Sequence, residues 1–561
     1  MPFNPYLALA CLGGLLLVSR AARIGTWEPA RIAAVLESRW APPVFGLLTM
    51  GAVWFVWRSL GEPGVVHDER AYLLQAEIFA RGHWTAPRPP IPAFFEQMHV
   101  FVEPAVFAKY PPAHALMLVP GIWLGMPGLM PALMAGIAGA LTFWLARRLS
   151  NVWVALLTWL LWTSAPATLA WATSYLSEST TTVMWLAAAS ATVLWLESGK
   201  QAWLIAVAAA LAWGFDARPL TMVALAVPLG VVVVRRLIET RTWRTAAVPV
   251  LVGTALLTIG PVWNQQTLGD WRADPYPLYS RTYFPFDKPG FGVDPAPPLR
   301  PLPSELLPMD SWSREVHAAY LPAAVPIELA QRIRALLSSV AVGWRVLICA
   351  LLIGSVARAR GAARFAVLSA VSLLVAYLAF AHPPGWVVYY FELLPALHFL
   401  AAGSLVRLLS QSKRLSLADG RSISPLVARS SALAALLLLP FCVSDLARIR
   451  TSIDLRNEFN RRADDVIRRA PPHSILFVRY SPSHDPHRAI TSNEADLPSA
   501  RSWVVYDRGA DNERLLALAP DRQPYVLDAS TFRLERLSET ASNRRPAHQA
   551  VGRAEKLNSG T

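Results

Sequence analysis

Apolar runs long enough for a bilayer, separated by connectors of alternating charge, govern what this chain can become. They recur at about 5–19, 41–60, 128–146, 152–170, 180–197, 201–216, 219–234, 246–263, 337–356, 363–381, 388–408 and 428–444. A helix crossing the hydrocarbon core needs roughly 20 such residues. Basic residues crowd every second connector: Arg20/Arg23/Arg31/Arg39, Arg147/Arg148, Lys200, Arg235/Arg236/Arg241/Arg244, Arg358/Arg360/Arg364 and Arg407/Lys413/Arg414. By the positive-inside rule those connectors face the cytoplasm. The others then face outward: 61–127, "TSYLSEST", "GFDARPL", 264–336 and "HPPGWVVYYFE", and everything beyond Asp445 follows them.

This pattern explains the formal charge of +14, which in a soluble chain would point to nucleic acid. With 54% hydrophobic and 16% charged residues, an ordinary soluble enzyme is excluded. Cys11, Cys349 and Cys442 all lie in apolar runs, so neither a disulfide framework nor a cysteine metal site is implied. Residues 5–19 lack a small-residue cleavage site and read as a retained anchor or membrane-surface helix.

After about 445 the character changes. "SILFVRY", "SWVVYD" and "QPYVLDAS" read as short strands around helix-compatible "DNERLLALAP". The expected organisation is a transmembrane domain over 1–444, with outer loops 61–127 and 264–336, a small outward α/β domain over 445–540 and a polar, disordered tail over 541–561. The fold class is a polytopic α-helical membrane protein with about 11–13 transmembrane helices.

The outward connectors hold the chemistry. Two acids, Asp68 and Glu69, follow a membrane helix directly; a charge at mid-bilayer costs roughly 2.5–3.5 kcal/mol, so they belong at the water boundary. From Asp68 the chain reads as a helix along the membrane face, with Asp68 or His67 at its cap and Gly82 as its stop. Lys109 precedes Tyr110-Pro111-Pro112, a rigid step that fixes one cation where a short apolar helix begins near His114. An ammonium there suits phosphate. Arg218 runs against the positive-inside bias, so it calls for a phosphate or for Asp216 as partner, or serves as a plain anchor. Arg345 interrupts an apolar run. Glu178 serves either as a helix cap or as a substrate contact. Tyr389, Tyr390 and Glu392 make either an interface belt or a site wall, and His382 and His114 are weaker candidates. The polar stretch "SPSHDPHR" is read as a flexible loop rather than a metal site.

The acidic pair after an N-terminal membrane helix, "KYPPAHALML", "TSYLSEST", "ARPLT", "WNQQTLGD" and "YYFELLPALHFLAAG" together resemble bacterial polyprenyl-phosphate-sugar-dependent glycosyltransferases of the GT-C type. These include relatives of protein O-mannosyltransferases and lipid A aminoarabinose transferases. The likeness covers about residues 40–410; the helix at 5–19 and His67 depart from it. It implies a multi-pass protein of a bacterial inner membrane with its site on the outer face. There a sugar moves with inversion from a polyprenyl phosphate to a glycan, lipid or protein hydroxyl. Asp68 would be the general base, with Glu69 beside it. Lys109, Arg218 and Arg345 would meet the donor phosphate, and Tyr110, Glu178, Asp216, His382, Tyr389 and Tyr390 would contact substrate. No cofactor is firmly implied, a divalent metal stays open, and nucleic acid is not a partner. The alternative is a transporter or lipid flippase, which should place polar groups at mid-helix depth on paired broken helices.

Overall fold

The computed structural model describes residues 29–59, 66–302, 306–340, 356, 359–412, 457–481, 484–485 and 487–537. The runs at 5–19 and 428–444, most of 337–356, Arg345 and the tail over 541–561 lie outside the described residues. Among those described, six helices are long and apolar enough to cross a membrane: Leu129–Leu149, Glu178–Ser198, Pro219–Thr240, Trp243–Leu268, Ala362–Ala379 and Val387–Arg407. A seventh candidate is the pair Arg31–Glu37 and Ala41–Arg58, bent by 84°. Large apolar side chains such as Leu47, Phe55, Val231, Leu251 and Val371 stay exposed along these helices. In water such surfaces are a liability; facing lipid they are expected.

The expected run at 152–170 divides into helices Val152–Thr163 and Pro166–Trp171. Pro166 causes the break, because the residue before a proline is pushed out of the α region, and Ala165 has ψ 136. The last span begins as a 3-10 turn, Val387–Leu393, and continues as helix Leu394–Ser412.

Helix direction sorts charge onto two ends. Glu178 starts a span whose other end is followed by Lys200, and Arg218 immediately precedes a span that carries Arg235 and Arg236 near its far end. Glu392 sits in the opening turn of the last span. The acids and aromatics of the connectors expected to face outward thus share one end of the bundle.

Over that end, helix His67–Ala80 and a two-stranded hairpin, β1 (Val100–Phe101) and β2 (Phe107–Ala108), form a cover. The C-terminal residues make a four-stranded sheet in the order β4-β3-β5-β6: β3 (Ser474–Arg479), β4 (Ser502–Tyr506), β5 (Gln523–Asp528) and β6 (Leu534–Arg536). β3 pairs in parallel with β4 and β5, and β6 closes one edge antiparallel. The helix Asn512–Leu518 lies on the connection from β4 to β5, which flank β3 on its two sides. The sheet docks on the loop over 61–127, where Phe94 meets Phe477 at 6.2 Å, Phe95 meets Trp503 at 5.5 Å, and Arg81 pairs with Asp496 at 2.9 Å.

Candidate functional site

The site is assembled by one helix face. Asp68 and Gln75 are seven residues, two turns, apart on helix His67–Ala80, so they point the same way. Gln75 accepts from the Ala108 backbone N–H at 3.0 Å and donates to the Trp84 carbonyl at 3.0 Å, which pins the hairpin along this face. The Lys109 N–H bonds the His99 carbonyl at 2.9 Å just beyond the strands, so His99 and Lys109 are neighbours. His99 turns the chain with φ 65, and its N–H donates to the Tyr279 hydroxyl oxygen at 2.9 Å. The Lys-Tyr-Pro-Pro step then leads into helix Pro112–Trp123, as expected, with proline in its first turn.

Asp68 receives a short hydrogen bond from the Tyr110 hydroxyl, and His99 Nε2 stands 3.6 Å from its other oxygen. Burial opposes ionisation of Asp68, but His99, the Tyr110 hydroxyl and Lys109 outweigh it and hold the carboxyl below its usual range. Burial, followed by Lys109, brings His99 down to about 3, so His99 is neutral at pH 7. Tyr110 and Lys109 therefore keep Asp68 ionised at neutral pH. Its side chain retains 39% exposure, so the carboxylate can be reached.

Neither Asp68 nor His67 caps the helix, contrary to the sequence reading. The cap is Val66, whose N–H donates to Glu69 Oε2 at 3.0 Å. The other Glu69 oxygen accepts from the Tyr175 N–H at 2.9 Å. Glu69 is a buried tie between the helix start and the "TSYLSEST" segment, while its neighbour faces the open site.

Lys109 is 2% exposed, and no carboxylate stands within 4 Å of its ammonium among the described residues. Tyrosine rings surround it instead: Tyr276 at 4.5 Å, Tyr279 at 5.0 Å and Tyr110 at 5.4 Å. Burial lowers its pKa, while Asp287 and Asp68 act in the opposite sense. Sequence reasoning missed Tyr276, Tyr279 and Asp287. Helix Pro275–Tyr283 presents tyrosines at 276, 279 and 283, an i, i+3, i+7 stripe that was readable. Asp287, 3.7 Å from His317 on helix Leu307–Ala319, offered no such pattern.

The second cation differs. Arg218 pairs with Glu392 at 3.5 Å and Glu178 at 3.8 Å, donates to the Val388 carbonyl at 3.2 Å and lies 5.3 Å from the Tyr389 ring. Glu392 also accepts from the Thr181 hydroxyl. Asp216, the carboxylate expected beside Arg218, forms no ion pair with it. One Asp216 oxygen is buried with no partner among the described residues, and burial lifts its pKa to about 7. His382 hydrogen-bonds the Pro383 carbonyl at 2.9 Å and the Tyr390 hydroxyl at 3.1 Å, and its ring lies 4.4 Å from Tyr389. Burial brings His382 to about 3, so it acts as a neutral wall. His114 spans the Thr180 hydroxyl and the Tyr175 carbonyl and braces the same segment that Glu69 holds. Among the described residues no group of three or more His, Cys, Asp or Glu side chains is placed to hold a metal ion.

An apolar cavity of about 350 Å³ lies deeper, among Trp185, Leu196, Val232, Phe365 and Phe399. Trp185 and Leu196 are 7 and 18 residues along the helix from Glu178, or about 10 and 27 Å at 1.5 Å per residue.

The arrangement is a reachable carboxylate, a buried ammonium with no carboxylate at contact distance among the described residues, and a largely buried Arg–Glu cluster at one end of a helical bundle. Residues 127–264 match the family model for dolichyl-phosphate-mannose-protein mannosyltransferase. The chain is similar, over that stretch, to polyprenyl-phosphate-dependent sugar transferases, in line with the GT-C resemblance of its motifs. The fold is similar to that of ArnT from Cupriavidus metallidurans bound to undecaprenyl phosphate, at 16% identity and TM-score 0.49, covering 87% of this chain and 90% of that one. It is also similar to the archaeal oligosaccharyltransferase AglB from Archaeoglobus fulgidus in complex with an inhibitory peptide and a dolichol-phosphate. That match has 11% identity and TM-score 0.38, and covers 79% of this chain and 63% of that one. No curated protein matches the sequence.

Proposed function

We propose that the chain transfers a sugar from a polyprenyl phosphate to an acceptor hydroxyl at the outer face of a bacterial inner membrane, with inversion. The observation that carries this reading is the pairing of an ionised, reachable Asp68 with the tyrosine-boxed Lys109. A sugar on a lipid phosphate already has a leaving group. What it needs is a base for the acceptor proton and a cation for the departing phosphate. Asp68 takes the acceptor proton as the hydroxyl oxygen attacks the anomeric carbon. The C–O bond to phosphate breaks, and Lys109 stabilises the phosphate that leaves. A single carboxylate acting as base corresponds to one displacement, hence inversion.

The remaining residues support this machinery. Tyr110 orients Asp68 and helps keep it ionised, and His99 donates no charge of its own at neutral pH. Glu69 and His114 brace the backbone beneath. Arg218 is already shared by two carboxylates, so it orders Glu178, Glu392 and Tyr389 as a wall more than it binds phosphate. The apolar cavity deeper in the bundle supports a donor with a long hydrocarbon tail.

Asp68→Asn in a defined polyprenyl-phosphate-sugar assay tests the reading. Turnover should fall by ~10²–10⁴-fold with melting unchanged, because the substitution removes proton acceptance and little volume. Near-parental turnover refutes it.

A further inference from the structure

Three rings from distant segments meet above the Asp68 end of the site. Trp312, on helix Leu307–Ala319, stacks on Trp386 with centroids 5.7 Å apart and planes 28° apart. His487, between β3 and β4, sets its ring edge-on to Trp312 at 4.7 Å. It is also 6.4 Å from Trp386 and 6.4 Å from His67, the residue before Asp68. In the other direction Trp386 lies 6.3 Å from Tyr389, beside Arg218. The rings thus bridge the Asp68 and Arg218 sides, and each keeps part of its surface open. Among the described residues neither indole N–H has a hydrogen-bond partner.

Tryptophans near a membrane surface ordinarily serve as an interface belt. These two are instead covered by a residue of the C-terminal sheet region, which a lipid-facing belt would not be. An aromatic face with unengaged N–H donors at its rim matches a sugar ring, which has apolar C–H faces and a periphery of hydroxyls. We propose that Trp312, Trp386 and His487 form a carbohydrate platform that seats a sugar ring, of donor or acceptor, over Asp68. The C-terminal region then completes the site, and the platform rests on the transfer reading above.

The test uses the full chain in detergent, with decaprenyl-phosphate mannose and sugar-free decaprenyl phosphate as probes, and Trp312→Leu, Trp386→Leu, His487→Ala and the conservative Trp312→Phe as variants. If the donor sugar is seated, the parent prefers the sugar-bearing lipid. The leucine variants then lose about tenfold of that preference while keeping their affinity for the bare lipid phosphate. If the acceptor ring is seated, both lipid affinities hold and the KM for extracted envelope glycans rises about tenfold. His487→Ala should move the same quantity in the same direction, and Trp312→Phe should retain most of the parent value. A leucine variant that also loses the bare lipid phosphate has lost its fold, and Trp312→Phe together with His487→Ala then decides. Unchanged preference together with unchanged acceptor KM overturns the platform. Absence of any transfer by the parent overturns the underlying reading instead, so the two failures are distinguishable.

Discussion

Replacing Lys109 by methionine isolates the claim that its ammonium meets phosphate. Met is apolar, flexible and favourable against aromatic rings, so it suits a box made by Tyr110, Tyr276 and Tyr279. The substitution removes a buried charge that no carboxylate neutralises at contact distance, so the fold should survive. Two properties should change. A charged hydrogen bond contributes about 1.5–3 kcal/mol, and about 1.4 kcal/mol is a factor of ten. Donor affinity should therefore drop roughly 10- to 100-fold.

The second change concerns Asp68. Lys109 is among the groups holding that carboxyl below its usual range, so its removal must raise the Asp68 pKa. The acid limb of kcat/KM should then move to higher pH, since the base must be ionised to act. Titration of binding in detergent, and pH profiles of the parent, Lys109→Met and Lys109→Arg, check both points. Lys109→Arg keeps the charge but changes its shape, and should recover part of the affinity. Donor affinity within twofold of the parent, with an unmoved acid limb, would show that Lys109 is only a packed interface residue.

Arg218→Met should behave differently, because it leaves Glu178 and Glu392 buried without their cation, a loss of ~3–5 kcal/mol for a buried pair. Thermal melting in detergent should fall sharply, and Glu392→Gln alongside it should restore part of the loss. His99 gives a pH signature: the unfolded chain takes up its proton near the ordinary value, whereas the folded one resists until about 3. Stability should decline as pH drops through that window. His99→Asn, which tolerates the left-handed backbone there, should flatten the decline in melting temperature.

Much of the architecture was legible because bilayer physics writes it into long segments. The helices at 178–198, 201–215 and 219–240 fall within a few residues of their apolar runs, and β3, β4 and β5 fall on the three β-branched stretches. Asp68, Lys109 and Tyr110 could be singled out as candidates, since an acid at a water boundary and a cation before two prolines are local signals. The partners of Arg218 were not. Asp216 lies two residues away in sequence, but the guanidinium reaches Glu178 and Glu392 on two other spans, a choice made by helix packing. Glu69 was legible only as an acid beside Asp68. An acid three residues after an N-cap can turn back onto that cap, which assigns it to the helix start and leaves the neighbouring acid free. His487 was set aside with its polar stretch, because nothing local shows that a distant domain lowers it onto Trp312.

The two cations show why residue type and location alone do not assign a phosphate site. Both lie at the same end of the bundle, Lys109 buried and Arg218 partly so, and Arg is the better fork for an oxyanion. Yet Arg218 has two carboxylates and a carbonyl around it, so an approaching phosphate would meet local negative charge as well as the guanidinium. Lys109 has aromatic faces at contact, which stabilise an ammonium without cancelling its charge, while Asp287 and Asp68 act on it only from beyond contact distance. Tyrosine walls leave the positive potential for an incoming anion, and glutamate walls consume it. A donor phosphate should accordingly settle on the Lys109 side, within reach of Asp68. The Arg218 cluster should then hold the far wall in shape for whatever part of the substrate is uncharged.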